Sequence, residues 1–242
     1  MSRPARLAFV PLIAVLASAG ASAQARRFAL ESADGLKLHN VAAEPATHQG
    51  KKGIRVLTPA DALQRFQRMT PDEQARFEQL AVVDGVEFSN GVIEAEIAGD
   101  LAPDAGQAAR GFVGIAFRLQ PDMQTYDAFY LRPTNGRADD QERRNHSAQY
   151  ISHPQWPWFR LRKETPSRYE SYVDLVPGAW TRVRIDVRGD KARLYVHGQE
   201  QPTLIVSDVK TGAQAKGSVA LWLGPGTLAH FRNLTVEPLP PQ

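Results

Sequence analysis

Between Thr181 and His197 the chain alternates strictly. Val183, Ile185 and Val187 lie between Arg182, Arg184, Asp186 and Arg188. After Gly189-Asp190 the same period resumes, with Ala192, Leu194 and Val196 set against Arg193, Tyr195 and His197. Side chains two apart share one face of a strand. Each run therefore has an apolar face and a charged face, and Gly189-Asp190 reads as the two-residue turn of a hairpin. A half-buried hairpin has to be roofed by a second layer. Further short runs, cut by Gly, Pro, Asn and Asp, supply that layer. They place strands near 28–33, 53–57, 78–83, 91–98, 110–119, 125–132, 146–151, 169–174, 203–207, 217–223 and 228–236. One or two short helices are expected. One runs from Pro71 to about Phe77, behind a Thr70…Glu73 capping box. A second could cover Ala60–Arg68.

A second hairpin pairs Gly111–Leu119 with Thr125–Arg132 through Pro121-Asp122. A turn near Asp122 sets Arg118 opposite Tyr126, Ala116 opposite Ala128 and Gly114 opposite Tyr130. Val113, Ile115, Phe117, Phe129 and Leu131 then point to the core. The other face carries Phe112, Gly114, Ala116, Arg118, Tyr126, Ala128, Tyr130 and Arg132. Small residues flanked by aromatics and guanidinium groups suit a shallow groove for a polar, ring-shaped ligand. They equally suit a sheet face covered by a loop.

The N-terminus carries a different message. Arg3 and Arg6 precede an uncharged apolar run from Leu7 to Ala17, and Ala21-Ser22-Ala23 is a small-residue cleavage pattern. Residues 1–23 read as a secretory signal peptide cut before Gln24, since the run is too short for a spanning helix of about 20 residues. Residues 24–237 form the expected domain, and 238–242 (Pro-rich) a disordered tail. The product is expected to be exported, periplasmic or secreted, with no membrane span. The 242 residues carry no cysteine, which excludes disulfide scaffolds, thiolate zinc sites and cysteine nucleophiles. Cleavage leaves 27 basic against 26 acidic residues, so no general attraction to polyanions is expected, and nucleic acid is not an expected partner.

Several segments resemble the concanavalin A-like lectin/glucanase domains. Phe88-Ser89-Asn90-Gly91-Val92-Ile93-Glu94-Ala95-Glu96-Ile97, Gly114-Ile115-Ala116-Phe117-Arg118 and His230-Phe231-Arg232-Asn233-Leu234 match strands of that family, as do Trp180–Ile185, Ala192–Val196 and Gly217–Leu221. Tyr130-Leu131-Arg132-Pro133 and His146-Ser147-Ala148-Gln149-Tyr150 resemble a secreted bacterial branch near the laminin G-like domains and the 3-keto-disaccharide hydrolases. The resemblance spans Phe28 to Val236. It implies an all-β, two-sheet antiparallel jelly-roll sandwich with a glycan-associated concave face. It does not by itself imply one activity, because the fold hosts lectins, hydrolases, lyases and adhesion modules.

Candidate chemistry is spread along the chain. Retaining glycosidases of this fold carry a Glu-x-Asp-x-(x)-Glu strand. Here Glu94 and Glu96 share a face but Ala98 follows, so the set is incomplete. Tyr130 and Arg132 offer a stacking ring and a fork for carboxylate or vicinal hydroxyl oxygens. The excursion Thr134–Arg168 holds seven basic and four acidic residues, and long excursions in compact domains tend to be functional. Within it Trp156 and Trp158 could stack on sugar rings, or plug one end of the sandwich. His146 is a candidate acid/base, with Gln149 and Tyr150 on the same short strand, and Glu170 a candidate carboxylate partner. Candidate catalytic residues are thus His146, Glu170 and Glu94. Candidate ligand contacts are Arg118, Tyr126, Tyr130, Arg132, Gln149, Tyr150, Trp156 and Trp158. No metal site or cofactor is expected, although calcium held by loop carbonyls and aspartates leaves little sequence trace. The expected partner is a carbohydrate or glycoside bound by a module. A hydrolase or lyase, and an adhesion module without a small ligand, are the two alternatives.

Overall fold

The computed structural model describes residues 24–239 apart from 75, 104, 107 and 108. The expected signal peptide and residues 240–242 lie outside the described residues. In chain order the N-terminal strands are β1 (Arg26–Phe28), β2 (Leu36–His39), β3 (Ala42–His48), β4 (Lys51–Leu57) and β5 (Leu80–Val83). Then come β6 (Gly91–Leu101), β7 (Val113–Leu119), β8 (Tyr126–Leu131), β9 (Ala148–His153) and β10 (Glu170–Ser171). The last are β11 (Thr181–Arg188), β12 (Lys191–Val196), β13 (Leu204–Val206), β14 (Ser218–Leu223) and β15 (Thr227–Pro238). The α-helices are α1 (Ala60–Arg68), α2 (Pro71–Gln74), α3 (Gln141–Asn145) and α4 (Trp158–Glu164).

Two antiparallel sheets make a jelly-roll β-sandwich. The first has the order β13-β12-β11-β6-β15-β4-β3, with β1 also on β15, and the second β10-β9-β8-β7-β14-β5-β2. Both expected hairpins form. Val183 faces Val196 and Ile185 faces Leu194 in one. Gly114 faces Tyr130 and Ala116 faces Ala128 in the other. Ile97, Val183, Ile185 and Leu194 of the first sheet meet Ile115, Phe129 and Leu131 of the second between the layers. The apolar side chains of both sheets join in one core.

The two outer faces differ. Over residues 91–97 of β6 and along β11 burial alternates residue by residue, so the first sheet turns a charged face to water. Every residue of β7 and β8 is buried. The second sheet is therefore covered on both sides, by the sandwich core within and by the excursion 133–169 and the segment 76–79 without.

Local differences from expectation have physical causes. β3 carries Pro45 and small residues and reads poorly as a strand. It forms at the sheet edge, where a missing N–H is tolerated. The run expected at 28–33 leaves the sheet after Phe28, and Leu30 adopts a left-handed φ of 58°. The capping box is present, with Thr70 N–H donating to Glu73 Oε2 at 2.7 Å, but the helix lasts one turn. α3 and α4 were not expected. Pro238 closes β15, and Leu239 N–H donates to Asn90 O at 2.9 Å, so the ordered chain continues past 237.

Arg118 does not share the face of Tyr126 and Tyr130. Its φ of 56° breaks the alternation of β7 and turns the side chain aside. There it is fully buried and donates to the carbonyls of Ser89 (3.0 Å), Gly189 (2.8 Å) and Gly212 (2.8 Å). It ties turns of the first sheet to the end of the second, and is corrected from a ligand contact to a structural tie.

Gly114 sets the spacing of the β7–β8 pair. A Cβ there would lie 2.2 Å from the Phe129 carbonyl oxygen and 2.6 Å from Tyr130 Cβ. Gly114→Ala is expected to cost about 1–3 kcal/mol by overpacking. A lowered urea midpoint at unchanged slope is the expected readout, and an unchanged midpoint would refute the tight approach.

Candidate functional site

Cross-strand partners share a face. Tyr130 of β8 lies opposite Gln149 of β9, which lies opposite Glu170 of β10, so the three form a row on the outer face of the second sheet. Arg132, two residues beyond Tyr130, reaches back along that row. Its Nη2 donates to Tyr130 Oη (2.8 Å) and Gln149 Oε1 (2.9 Å). Its Nη1 donates to Glu170 Oε1 (3.2 Å) and to the His146 carbonyl (3.0 Å).

A second guanidinium arrives from α4. Buried Leu161 anchors that helix on the sheet. Arg162 Nε donates to both Glu170 oxygens, at 3.2 and 3.0 Å, and its Nη2 donates to Oε1. His146, which caps the C-terminus of α3, brings Nε2 to 3.5 Å from Glu170 Oε2. The Glu170 side chain is 3% exposed. Burial pushes its carboxyl up, but the hydrogen bonds and charge of Arg162, with His146 and Arg132, more than reverse that and hold it below the ordinary value. For His146, burial lowers the pKa, Glu170 raises it, and Arg162 and Arg132 lower it again. The net position is below the ordinary histidine value.

Aromatic rings continue the row. Trp222 of β14 and Tyr130 of β8 flank Gly114 from opposite sides. With no side chain between them, their rings meet at 4.7 Å between centroids. Phe112 stands edge-on to Tyr130 at 5.8 Å. Trp158 opens α4 and is 43% exposed. The guanidiniums of Arg162 and Arg132 lie 4.7 and 5.7 Å from its ring centroid.

Two adjoining cavities follow from this arrangement, sharing Phe112 and Trp158 as lining. One, of about 160 Å³, is walled by Tyr130, Trp222, Phe77 and Phe159, with Glu78 and His153 at its side. The other, of about 410 Å³, is lined by Arg110, Arg132, Asn135, Arg143, His146 and Arg162. Beside the first cavity the buried Glu78 accepts from Tyr126 Oη and lies 2.7 Å from His153 Nδ1, while Trp222 Nε1 donates to Tyr126 Oη at 2.9 Å.

The expected residues thus divide. Tyr130, Arg132, His146, Glu170 and Trp158 come together. Gln149 joins them, but it is fully buried and its amide is spent on Arg132 and on the carbonyls of Tyr150 (2.9 Å) and Tyr169 (3.1 Å), so it orients Arg132 and has no free group to offer. Tyr126 keeps the expected face but is fully buried beneath Glu78, His153 and Trp222. Tyr150 points between the sheets. Its hydroxyl donates to Asp127 (2.6 Å) and accepts from Lys210 N–H (2.8 Å). Trp156 lines neither cavity and is covered by Arg160 and Lys210, 3.9 and 4.7 Å from its ring. Glu94 lies on the other sheet, paired with Arg182 at 3.1 Å, away from His146 and Glu170. Glu78, His153, Trp222 and Arg110 were not singled out from the sequence. Arg162 carried a signal, since it stands four residues after Trp158, the spacing that puts two side chains on one helix face.

Chemically, Glu170 is held ionised by its donors. That is opposite to the raised pKa a general acid needs, and its contacts hold Arg132, Arg162 and His146 in place. Among the described residues no group of three or more His, Cys, Asp or Glu side chains is placed to hold a metal ion, and no helix is long and apolar enough to cross a membrane.

Solved structures share this fold. The chain superposes on the carbohydrate-binding module CBM66 from Bacillus subtilis with a TM-score of 0.52 at 11% identity, covering 84% of this chain and 95% of that one. It superposes on the Crh5 transglycosylase in complex with NAG with a TM-score of 0.50 at 11% identity, covering 91% of this chain and 86% of that one. The likeness is one of fold, a two-sheet jelly-roll β-sandwich. No protein-family model and no curated protein sequence matches the chain.

Glu170→Gln removes the charge that raises the His146 pKa, so that pKa is expected to fall further; an NMR pH titration of the imidazole reads it, and a rise would contradict the geometry. Breaking one partner of a buried pair costs about 3–5 kcal/mol. Because the native Glu170 pKa is depressed, the wild-type advantage is expected above the unfolded carboxylate pKa and lost as pH falls through the native one.

Proposed function

We propose that this protein is an exported carbohydrate-binding domain that takes a glycan or glycoside into the groove on the outer, concave face of its second sheet. The observation that carries the reading is the half-exposed Trp158 ring, set with Phe112, Tyr130 and Trp222 beside a row of arginines along two adjoining cavities. Aromatic faces suit the apolar faces of sugar rings, and guanidinium forks suit oxygen pairs.

The groove is built before any ligand arrives. Tyr130, Arg132 and Gln149 hold one another by hydrogen bonds of 2.8–2.9 Å, so little ordering remains to oppose binding. The ionised Glu170 favours holding a ligand over protonating a glycosidic oxygen. Export rests on the basic, apolar and small-residue pattern of residues 1–23. The CBM66 and Crh5 likenesses support the fold on which such a groove is carried.

Isothermal titration of the purified protein against a panel of oligosaccharides tests the reading. Saturable binding is expected to at least one member, and Trp158→Ala is expected to weaken it tenfold or more without lowering the thermal midpoint. New sugar signals in an NMR time course would show turnover and favour an enzyme. Binding unaffected by Trp158→Ala would place the glycan elsewhere.

A further inference from the structure

Among the described residues, three guanidiniums of the larger cavity, Arg132, Arg143 and Arg162, have one paired carboxylate, Glu170. Arg132 and Arg162 share one buried carboxylate, Glu170. Arg143 forms no ion pair among the described residues. Its Nη2 makes only long contacts of 3.4 Å to the Thr134 carbonyl and Asn135 Oδ1, and its Nε is buried without a hydrogen-bond partner. Arg110 lines the same cavity. Of the described acids nearby, Asp140 accepts the Arg143 backbone N–H (3.0 Å), and Glu142, exposed on α3, attracts His146 and Arg162 from the surface. Clustered guanidiniums repel at close range, and the repulsion is strongest where water is excluded.

Resting on the glycan-binding reading above, we infer that this cavity receives an anionic substituent of a sugar, a carboxylate or a sulfate ester, between Arg143 and Arg162 beside His146. Arg143, which forms no ion pair among the described residues, gains a counter-charge. Arg162 keeps Glu170 on its Nε and Nη2 edge, which leaves Nη1 for the ligand. Trp158, against which Arg162 lies, carries the sugar ring itself. A guanidinium fork matches two oxygens of either anion, so the shared chemistry is a charged, multi-oxygen group on a ring. A neutral glycan brings no negative charge to Arg143, which forms no ion pair among the described residues. The anionic sugar is therefore favoured by a difference and not only by its own contacts.

The test is to titrate the full-length protein with galacturonate, galactose 6-sulfate and galactose at constant ionic strength, following the arginine Nε–Hε signals by NMR. Saturable shifts of the Arg143 and Arg162 signals are expected with at least one anionic sugar, at an affinity tenfold or more above that for galactose. Which anion produces them separates carboxylate from sulfate. Arg143→Ala is expected to bring the anionic-to-neutral affinity ratio close to one, and Arg143→Lys to restore part of it. Galactose binding as tightly as both anions would overturn the anionic assignment while leaving the glycan reading intact. If none of the three sugars shifts any signal of the groove, the anionic assignment falls, while the glycan reading stands or falls by the oligosaccharide panel.

Discussion

The buried carboxylate of Glu170 is the contact on which the outer half of this molecule depends. It joins the end of β8 through Arg132, α4 through Arg162 and the end of α3 through His146. An isolated carboxylate in so dry a place would give up its charge. Two guanidiniums keep it ionised, and it keeps them close. Neither half of that arrangement is stable alone, so the excursion, the strand end and the short helix are positioned together. The groove is a consequence: α4 stands where Arg162 can reach Glu170, and Trp158, one helical turn earlier, is thereby set at the cavity that Tyr130 and Phe112 also line.

A second constraint comes from the unequal faces of the sandwich. The first sheet meets water directly, with Glu94 and Glu96 paired to Arg182, Lys51 and Arg232. Such exposed pairs contribute little to stability and leave no cleft. The second sheet has small residues at Gly114, Ala116 and Ala128, which lets rings and loops settle onto it. Tyr130 and Trp222 touch over Gly114 because nothing stands between them. Concentrating the candidate chemistry on one sheet follows from side-chain size as much as from polarity.

Local patterns were legible in the chain. Two-residue periodicity and turn chemistry gave both central hairpins and the pairing of Gly114 with Tyr130, because those relations lie within about twenty residues of one another. Pairing of Glu170 with His146 was suggested by their types on consecutive expected strands. What stayed hidden was long-range or depended on backbone. Trp222 sits on the same face as Tyr130 only because β14 is the neighbour of β7, which no local pattern encodes. Glu78 meets His153 across the sheet for the same reason. Arg118 left its face through one left-handed residue, and Tyr150 followed the alternation inward to Asp127. β3 was obscured by Pro45, whose tolerance depends on an edge position that only the assembled sheet supplies.

Saturation-transfer difference NMR, with the aromatic side chains of an otherwise deuterated protein left protonated, addresses the central claim most directly. Carbohydrate held in the groove must take its saturation from the rings of Trp158, Phe112, Tyr130 and Trp222. The account predicts strong transfer to the sugar ring protons, clearly weakened in Trp158→Ala. Transfer that persists unchanged without Trp158, or a bound sugar that receives none from any aromatic ring, would contradict it.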